Sequence, residues 1–398
     1  MENNKRDQYW VMARPNRYHG LQPLREACAE LSNPQDELKI IHVAGTNGKG
    51  STVNYIRACL NALGFHTGTF TSPHLDAHFD RIRIDDEWID EEVFNQYLEK
   101  NMGIIEKYDL GMFEIDTLIA FEWFRDSHVD YAVIETGLGG RLDNTNIIEH
   151  PLLSIITTIG FDHMAVLGNR LTQIAFEKAG IIKPYGHCIF GYVKPECERV
   201  IRLRAARMHA AAKRLGDYRD IGKGEMEFYG ERYEISGAEY QKANAAMALE
   251  ALRFLGFDIT CVKVKEAVAK CTWKGRFEKV SEHPDVILDG AHNEEGIRAL
   301  CASLPLLKKP LAVVFSALRD KPGRQMASML EEYADLLIVT AFDYYRADTA
   351  DDLVSQHGVI ENDWHIAIEK AKQFAKEGTV VITGSLYFIS TVREYLMK

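Results

Sequence analysis

Gly45-Thr46-Asn47-Gly48-Lys49-Gly50-Ser51-Thr52 follows the apolar run Ile40 to Ala44 and opens a helical pattern reaching Leu63. Glycines at 45, 48 and 50 let backbone N–H groups approach an anion without interference from a Cβ, and the helix behind them directs its positive end to the same place. Lys49 can reach the β- and γ-phosphates of a nucleotide, and a hydroxyl from Ser51 or Thr52 can face Mg²⁺. The plain alternative is a glycine-rich turn with no ligand, but strand, loop and helix come in the order that phosphate binding needs.

Further residues suit the same chemistry. Glu135 ends the apolar run Tyr131 to Ile134 and is followed by Thr-Gly-Leu-Gly-Gly-Arg-Leu-Asp, ending at Asp143. A carboxylate at the end of a buried strand beside a phosphate loop is placed to bind Mg²⁺. Ser72 precedes Pro73, which forces an extended or turned path and sets the serine at the C-terminal lip of a sheet, where open α/β folds bind ligands. Leu152 to Ile156 repeats the arrangement, running on to Asp162-His163, and a helix then carries Glu177-Lys178-Ala179-Gly180. Each has a bland reading too. Glu135 can be merely solvated, His163 a loop histidine, Lys178 a surface helix lysine, Arg276 a surface ion-pair partner and Asp289-Gly290 an ordinary turn.

The elements that must hold these residues alternate between strand-like and helix-like stretches, which predicts α/β domains with mainly parallel sheets. Helices are expected at Leu21–Leu31, Asp90–Lys107, Phe113–Arg125, around 174–180, Pro195–Lys213 and Tyr240–Leu255. Strands are expected at Thr67–Thr71, Asp80–Ile84 and Leu152–Ile156, and a hairpin at Glu225–Ile235 turning at Gly230. The alternation restarts after Lys270–Gly275, with strands at 286–288, 311–315, 336–340 and 380–383. Residues 1–272 and 273–398 are therefore read as a P-loop ATP-binding domain and a smaller Rossmann-like domain.

At 398 residues the chain is long enough for two or three domains. Its formal net charge of −11 does not favour nucleic acid or anionic lipid, so an anionic substrate needs a local basic site. Met1 to Gly20 is polar with no apolar h-region, and no later run is long and apolar enough to span a membrane. Seven cysteines without CxxC spacing read as reduced thiols, consistent with the cytoplasm.

The motifs in series resemble the folylpolyglutamate synthase and dihydrofolate synthase branch of the Mur ligase superfamily. They are Gly-Thr-Asn-Gly-Lys-Gly-Ser at 45–51, Ser-Pro-His-Leu at 72–75, Phe-Glu at 113–114, Glu-Thr-Gly-Leu-Gly-Gly-Arg-Leu-Asp at 135–143 and Asp-His at 162–163, then Glu-Lys-Ala-Gly-Ile at 177–181, Gly-Arg-Phe-Glu at 275–278 and Asp-Gly-Ala-His-Asn at 289–293. The resemblance implies an ATP-dependent ligase that activates a folate carboxylate as an acyl phosphate and joins it to L-glutamate.

By the same resemblance Gly48, Lys49, Gly50 and Ser51 bind the triphosphate. Ser72 and Glu135 ligate a first Mg²⁺, and Glu135 with His163 a second, where Mn²⁺ can substitute. Lys178 is carbamylated. Asn244, Arg276 and Asp289 contact adenine, phosphate and ribose, with His292 beside the nucleotide, and Phe113 and Asp143 line a pterin pocket. A monomer working on ATP, glutamate and reduced folate is implied, possession of dihydrofolate synthase activity being left open. This chain departs from the family pattern at Gly111, Asp116, Asn144 and Tyr240. A peptidoglycan-type Mur ligase, a non-catalytic nucleotide-binding module and a generic P-loop ATPase are the alternatives. The first would normally carry an extra N-terminal domain, and the other two leave the second metal site or the C-terminal motifs without a role.

Overall fold

The computed structural model describes residue 14, residues 20–222 and residues 224–397. Most of the Met1–Gly20 stretch, on which the absence of an h-region was read, lies outside the described residues. The chain divides into two compact units: the first takes the described residues up to Arg219 together with Glu227–Tyr233 and Ala243–Ala269, the second Asp220–Met226, Glu234–Lys242 and everything from Lys270 onward.

The first unit is built on an eight-stranded sheet. In chain order its strands are β1 (Ile40–Ala44), β2 (Thr67–Phe70), β3 (Ile82–Ile84), β4 (Glu87–Trp88), β5 (Tyr131–Glu135), β6 (Leu153–Ile156), β7 (His187–Phe190) and β8 (Ala211–Arg214), laid out β4-β3-β2-β5-β1-β6-β7-β8. Strands β2, β5, β1, β6, β7 and β8 run parallel, and β3 and β4 are antiparallel additions at one edge. Strand β1 is buried along its whole length because parallel sheets are covered on both faces. The register pairs Val43 with Glu135, Ala44 with Ile156 and Phe70 with Ile134. The loops leaving β1, β2, β5 and β6 therefore open at one common edge.

Three short strands, β9 (Tyr218–Gly222), β10 (Glu225–Phe228) and β11 (Glu231–Glu234), form a small sheet, with Gly230 in the left-handed region between the last two. The second unit holds β12 (Arg276–Ser281), β13 (Asp285–Asp289), β14 (Leu311–Phe315), β15 (Leu336–Ala341), β16 (Val359–Asp363) and β17 (Thr379–Thr383), in the order β12-β13-β17-β14-β15-β16. All pairings are parallel except that of β12 with β13.

Some expectations change. The Ala/Arg-rich helix runs from Pro195 only to Arg207, and Ala211–Arg214 is instead an edge strand beside β7. Strong helix formers there give way to a parallel partner with open hydrogen-bonding groups, so tertiary pairing overrides local propensity. Asp90–Lys107 is two helices, Glu91–Lys100 and Met102–Lys107, meeting at buried Asn101. Asp80 and Arg81 lie in a 3-10 turn, and only Ile82–Ile84 is strand. The edge strands β12 and β16 appear in addition to the expected set.

Candidate functional site

The phosphate loop is held by side chains that come up from β6. Thr157 Oγ1 and Thr158 Oγ1 donate to the Asn47 carbonyl at 2.7 and 3.1 Å, and Asn47 N–H donates to Thr158 Oγ1 at 2.9 Å. Thr46 N–H reaches the Thr158 carbonyl, and Thr46 Oγ1 exchanges bonds with both backbone groups of Gly160. Glycine is required where the loop passes closest to its neighbours. A Cβ at Gly45 would collide with Thr157 Oγ1, and one at Gly48, whose φ is +85°, with Asn244 Oδ1. Gly48 caps the helix Lys49–Ala62 without a side-chain hydrogen bond, leaving first-turn N–H groups to an anion. Asn244, on the helix Gln241–Phe254, thus stands against the loop, and Ser51 is buried in the first turn.

Lys49 and Glu135 meet at this edge, Nζ to Oε1 3.6 Å, and Glu135 is buried. Ser72 N–H donates to Glu135 Oε2 at 3.3 Å, so the loop leaving β2 is fastened to the end of β5. Lys178 is fully enclosed near the end of the helix Leu171–Ala179 and donates to the Gly45 carbonyl at 2.7 Å. Burial, and then the neighbouring charge of Lys49, bring its amine down to about 7, against the opposing pull of Asp162 and Asp143. The Glu135–Asp143 loop is locked to that helix by Arg141, which pairs with Glu177 at 2.9 Å.

Asp143 is buried with its oxygens engaged. Oδ2 accepts from Leu138 N–H at 2.7 Å, and Oδ1 from Thr145 N–H and Oγ1 at 3.0 and 2.5 Å. Desolvation raises its pKa above the ordinary carboxylate value despite these bonds. Thr145 is itself met by His42 Nε2 from the middle of β1, a ring that burial holds neutral down to about 3. Phe113 packs on Phe70 and fills the space over Gly137, where a Cβ would stand 2.6 Å from its Cζ. His163 is different in character: it is exposed, with φ +49°, and its Nε2 lies 3.8 Å from a carboxylate oxygen of Asp162. Among the described residues no group of three or more His, Cys, Asp or Glu side chains is arranged to hold a metal ion. A hard cation here would draw on Glu135 and hydroxyl oxygens, a donor set suited to Mg²⁺ with water and phosphate completing the shell.

In the second unit Asp289 ends β13 opposite Arg276 of β12. Its carboxylate accepts from Tyr240 Oη at 2.5 Å, from Phe277 N–H at 2.9 Å and from Ala291 N–H at 2.9 Å. Phe277 has a φ of +56° at a register shift in β12, which turns its N–H onto Asp289. His292 sits just beyond, Nδ1 bonded to the Gly290 carbonyl at 2.8 Å, which leaves Nε2 as the acceptor. Sequence reasoning overlooked Thr157, Thr158, His42 and Thr145. The available signal was the Thr-Thr pair directly after the expected strand Leu152–Ile156.

The Mur ligase middle domain matches residues 43–212, and the Mur ligase glutamate ligase domain matches residues 275–386. The chain is 38% identical, over an alignment of 411 positions covering 95% of each, to a dihydrofolate synthase/folylpolyglutamate synthase of Bacillus subtilis. It resembles the crystal structure of Mycobacterium tuberculosis folylpolyglutamate synthase complexed with ADP and AMPPCP, at TM-score 0.88 and 28% identity, covering 98% of this chain and 97% of that one. The same figures describe its likeness to a bifunctional folylpolyglutamate synthase/dihydrofolate synthase with Mn, AMPPNP and L-glutamate bound. With both Mur ligase domains matched in order and the phosphate loop, Glu135 and Lys178 gathered at one sheet edge, the chain belongs to the folylpolyglutamate synthase/dihydrofolate synthase family of Mur ligases.

Proposed function

We infer that this protein is an ATP-dependent ligase that joins L-glutamate to a folate. The observation that carries the reading is the Lys49–Glu135 pair at the mouth of a glycine loop that a Cβ at Gly45 or Gly48 would obstruct. The γ-carboxylate of a reduced folate is phosphorylated by ATP, the glutamate amino group attacks the acyl carbon, and phosphate departs as the amide forms. The first obstacle is electrostatic: two like charges about 4 Å apart repel by about 4 kcal/mol at an effective dielectric near 20. Lys49, with the loop N–H groups of Gly48, Gly50 and Ser51, offsets that repulsion on the triphosphate.

Ser72 and Glu135 are the residues that would hold a first Mg²⁺, and Glu135 with His163 a second site open to Mn²⁺. The bound metal supplies charge neutralisation and electrophilic stabilisation of the transferred phosphoryl group. Lys178 is the candidate for carbamylation. Its amine is brought to about 7, so a useful fraction is neutral and can attack CO₂, losing a proton to leave an anionic carbamate. Asn244 takes adenine, Arg276 and Asp289 take phosphate and ribose, His292 lies beside the nucleotide, and Phe113 and Asp143 face the pterin. The seven free cysteines support a reducing compartment, the cytoplasm, and the chain is read as a monomer. No helix among the described residues is long and apolar enough to cross a membrane.

The test is direct. Purified protein given MgATP, L-glutamate and either tetrahydrofolate or dihydropteroate is assayed for ADP release and for products one glutamate heavier. Stoichiometric ADP and glutamylated product are expected with tetrahydrofolate. ADP release that no folate stimulates would overturn the reading.

A further inference from the structure

A buried polar cluster lies between the Ser72 loop and the helix Met112–Asp126, and the proposed chemistry leaves it without a role. Asp116 is fully buried on that helix, one turn beyond Phe113. Ile115, Leu118 and Ile119 around it are core residues, so a charge among them is costly unless it is paired. Its partners come from the loop after β2. His78 Nε2 donates to Asp116 Oδ1 at 2.8 Å, and Arg81 Nε approaches Oδ2 at 3.8 Å. His78 and Arg81 are buried as well, His78 against Phe79 and Phe94.

Arg81 carries the cluster outward. Its Nη2 lies 3.0 Å from His74 Nδ1. A guanidinium has only donors, so Nδ1 of His74 is the acceptor and the ring proton is on Nε2. His74 is partly exposed and stands two residues beyond Ser72, whose N–H is fastened to Glu135. The loop that carries it is shaped by Asp80, whose Oδ2 accepts from Leu75 N–H and Asp76 N–H at 2.8 and 2.7 Å. Three buried atoms of the cluster, His78 Nδ1, Arg81 Nε and Asp116 Oδ2, have no hydrogen-bond partner among the described residues. A cluster needed only to glue loop to helix would be better built with those atoms satisfied or with apolar side chains in their place.

We propose that His74 is a substrate-contacting donor, its Nε2–H directed at an oxygen acceptor of the folate, and that Arg81, Asp116 and His78 are positioning residues that fix its tautomer and place. This rests on the ligase reading above and names a specificity determinant within it. Asp116 thereby couples the helix bearing Phe113 to the loop bearing Ser72, the two walls between which the folate carboxylate must be brought to the phosphate loop. The orphaned Arg81–Asp116 contact is the part that tightens when the loop settles on substrate.

The experiment is steady-state kinetics on the full chain with tetrahydrofolate, L-glutamate and MgATP each varied in turn. Losing one hydrogen bond to the folate, His74→Leu raises the folate KM about tenfold while the KM values for ATP and glutamate stay within about twofold. His74→Gln, which can place an amide N–H near the position of Nε2, recovers most of that loss. Asp116→Asn keeps the volume and removes the charge, and moves the folate KM in the same direction by a smaller factor. If all three KM values rise together, if only kcat falls, or if Gln rescues no better than Leu, the cluster is structural and the proposal is overturned. Should Asp116→Asn not fold, the His74 pair, at a partly exposed position, decides the question. Wild-type protein that turns over no folate refutes the ligase reading itself, whereas an active wild type with unselective variants refutes only this inference.

Discussion

Two buried carboxylates end parallel strands in this molecule, and they are held in opposite ways. Asp289 closes β13 and accepts three bonds of 2.5 to 2.9 Å, from a tyrosine hydroxyl and two backbone N–H groups. Glu135 closes β5, and its contacts with Ser72 N–H and Lys49 Nζ are 3.3 and 3.6 Å. Short neutral donors around Asp289 fix the backbone that surrounds it. The Lys49 contact, long and made by a flexible ammonium, is one that a cation or phosphate can replace. Asp289 is a fixed acceptor within its own unit, whereas Glu135 is the residue proposed above as a cation ligand.

The comparison can be broken most forcefully at Glu135. Glu135→Gln removes ligand charge without removing core volume, so turnover is expected to fall about 10³-fold while the denaturation midpoint hardly moves. Rates from ADP release beside urea unfolding of the same preparation check it, and a variant keeping a tenth of the wild-type rate contradicts the assignment. Lys49→Ala should follow, weakening ATP binding about 10²-fold through loss of phosphate neutralisation, as read by titration with a non-hydrolysable analogue.

Asp289→Asn should show the reverse pattern. An amide group cannot accept at both positions, so a donor is left unpaired and stability drops by about 1–3 kcal/mol, measured by urea unfolding. A variant as stable as wild type would mean that the three bonds are dispensable. Arg276→Ala, at the register position facing Asp289, is expected to weaken nucleotide binding about tenfold with the phosphate loop untouched. Unchanged affinity would remove Arg276 from nucleotide recognition.

The last effect, graded with pH, belongs to Lys178. Its folded value of about 7 lies below the ordinary 10.5, so between those values the unfolded chain binds the extra proton. The burial penalty is full below about pH 7 and fades as pH rises toward the ordinary lysine value, so stability should climb across that window. Uptake of CO₂ should rise through about pH 7 as the neutral amine becomes the main form. Unfolding curves against pH, and a carbamate signal in ¹³C NMR with labelled bicarbonate, check both; Lys178→Met should abolish the pH-dependent gain.

Much of this was legible before any fold was in hand, because it is local. The run Ile40–Ala44 into Gly45–Ser51 states strand, glycine loop and helix start within a few residues, and Glu135 is conspicuous as a charge ending an apolar strand. The inner parallel strands β1, β14 and β17 are near-continuous apolar runs for a related reason: each is buried along its whole length. Edge strands escaped notice because they lack that signature. Ala211–Arg214 is mostly exposed and reads as helix, and Arg276–Ser281 and Val359–Asp363 carry charges along half-open edges. Their state is decided by a neighbouring strand with hydrogen bonds to offer.

The sequence by itself therefore determined the phosphate-binding chemistry and the α/β class, since each is encoded by neighbours along the chain. Tertiary structure alone decided which distant side chains complete the site. Thr157 and Thr158 clamp Asn47, separated from it by more than a hundred positions, and His42 reaches Thr145 across a similar span. Asp116, a charge in an apolar helix, finds His78 and Arg81. A buried polar group is stable only with its partner, and when that partner is remote in sequence no local pattern announces it.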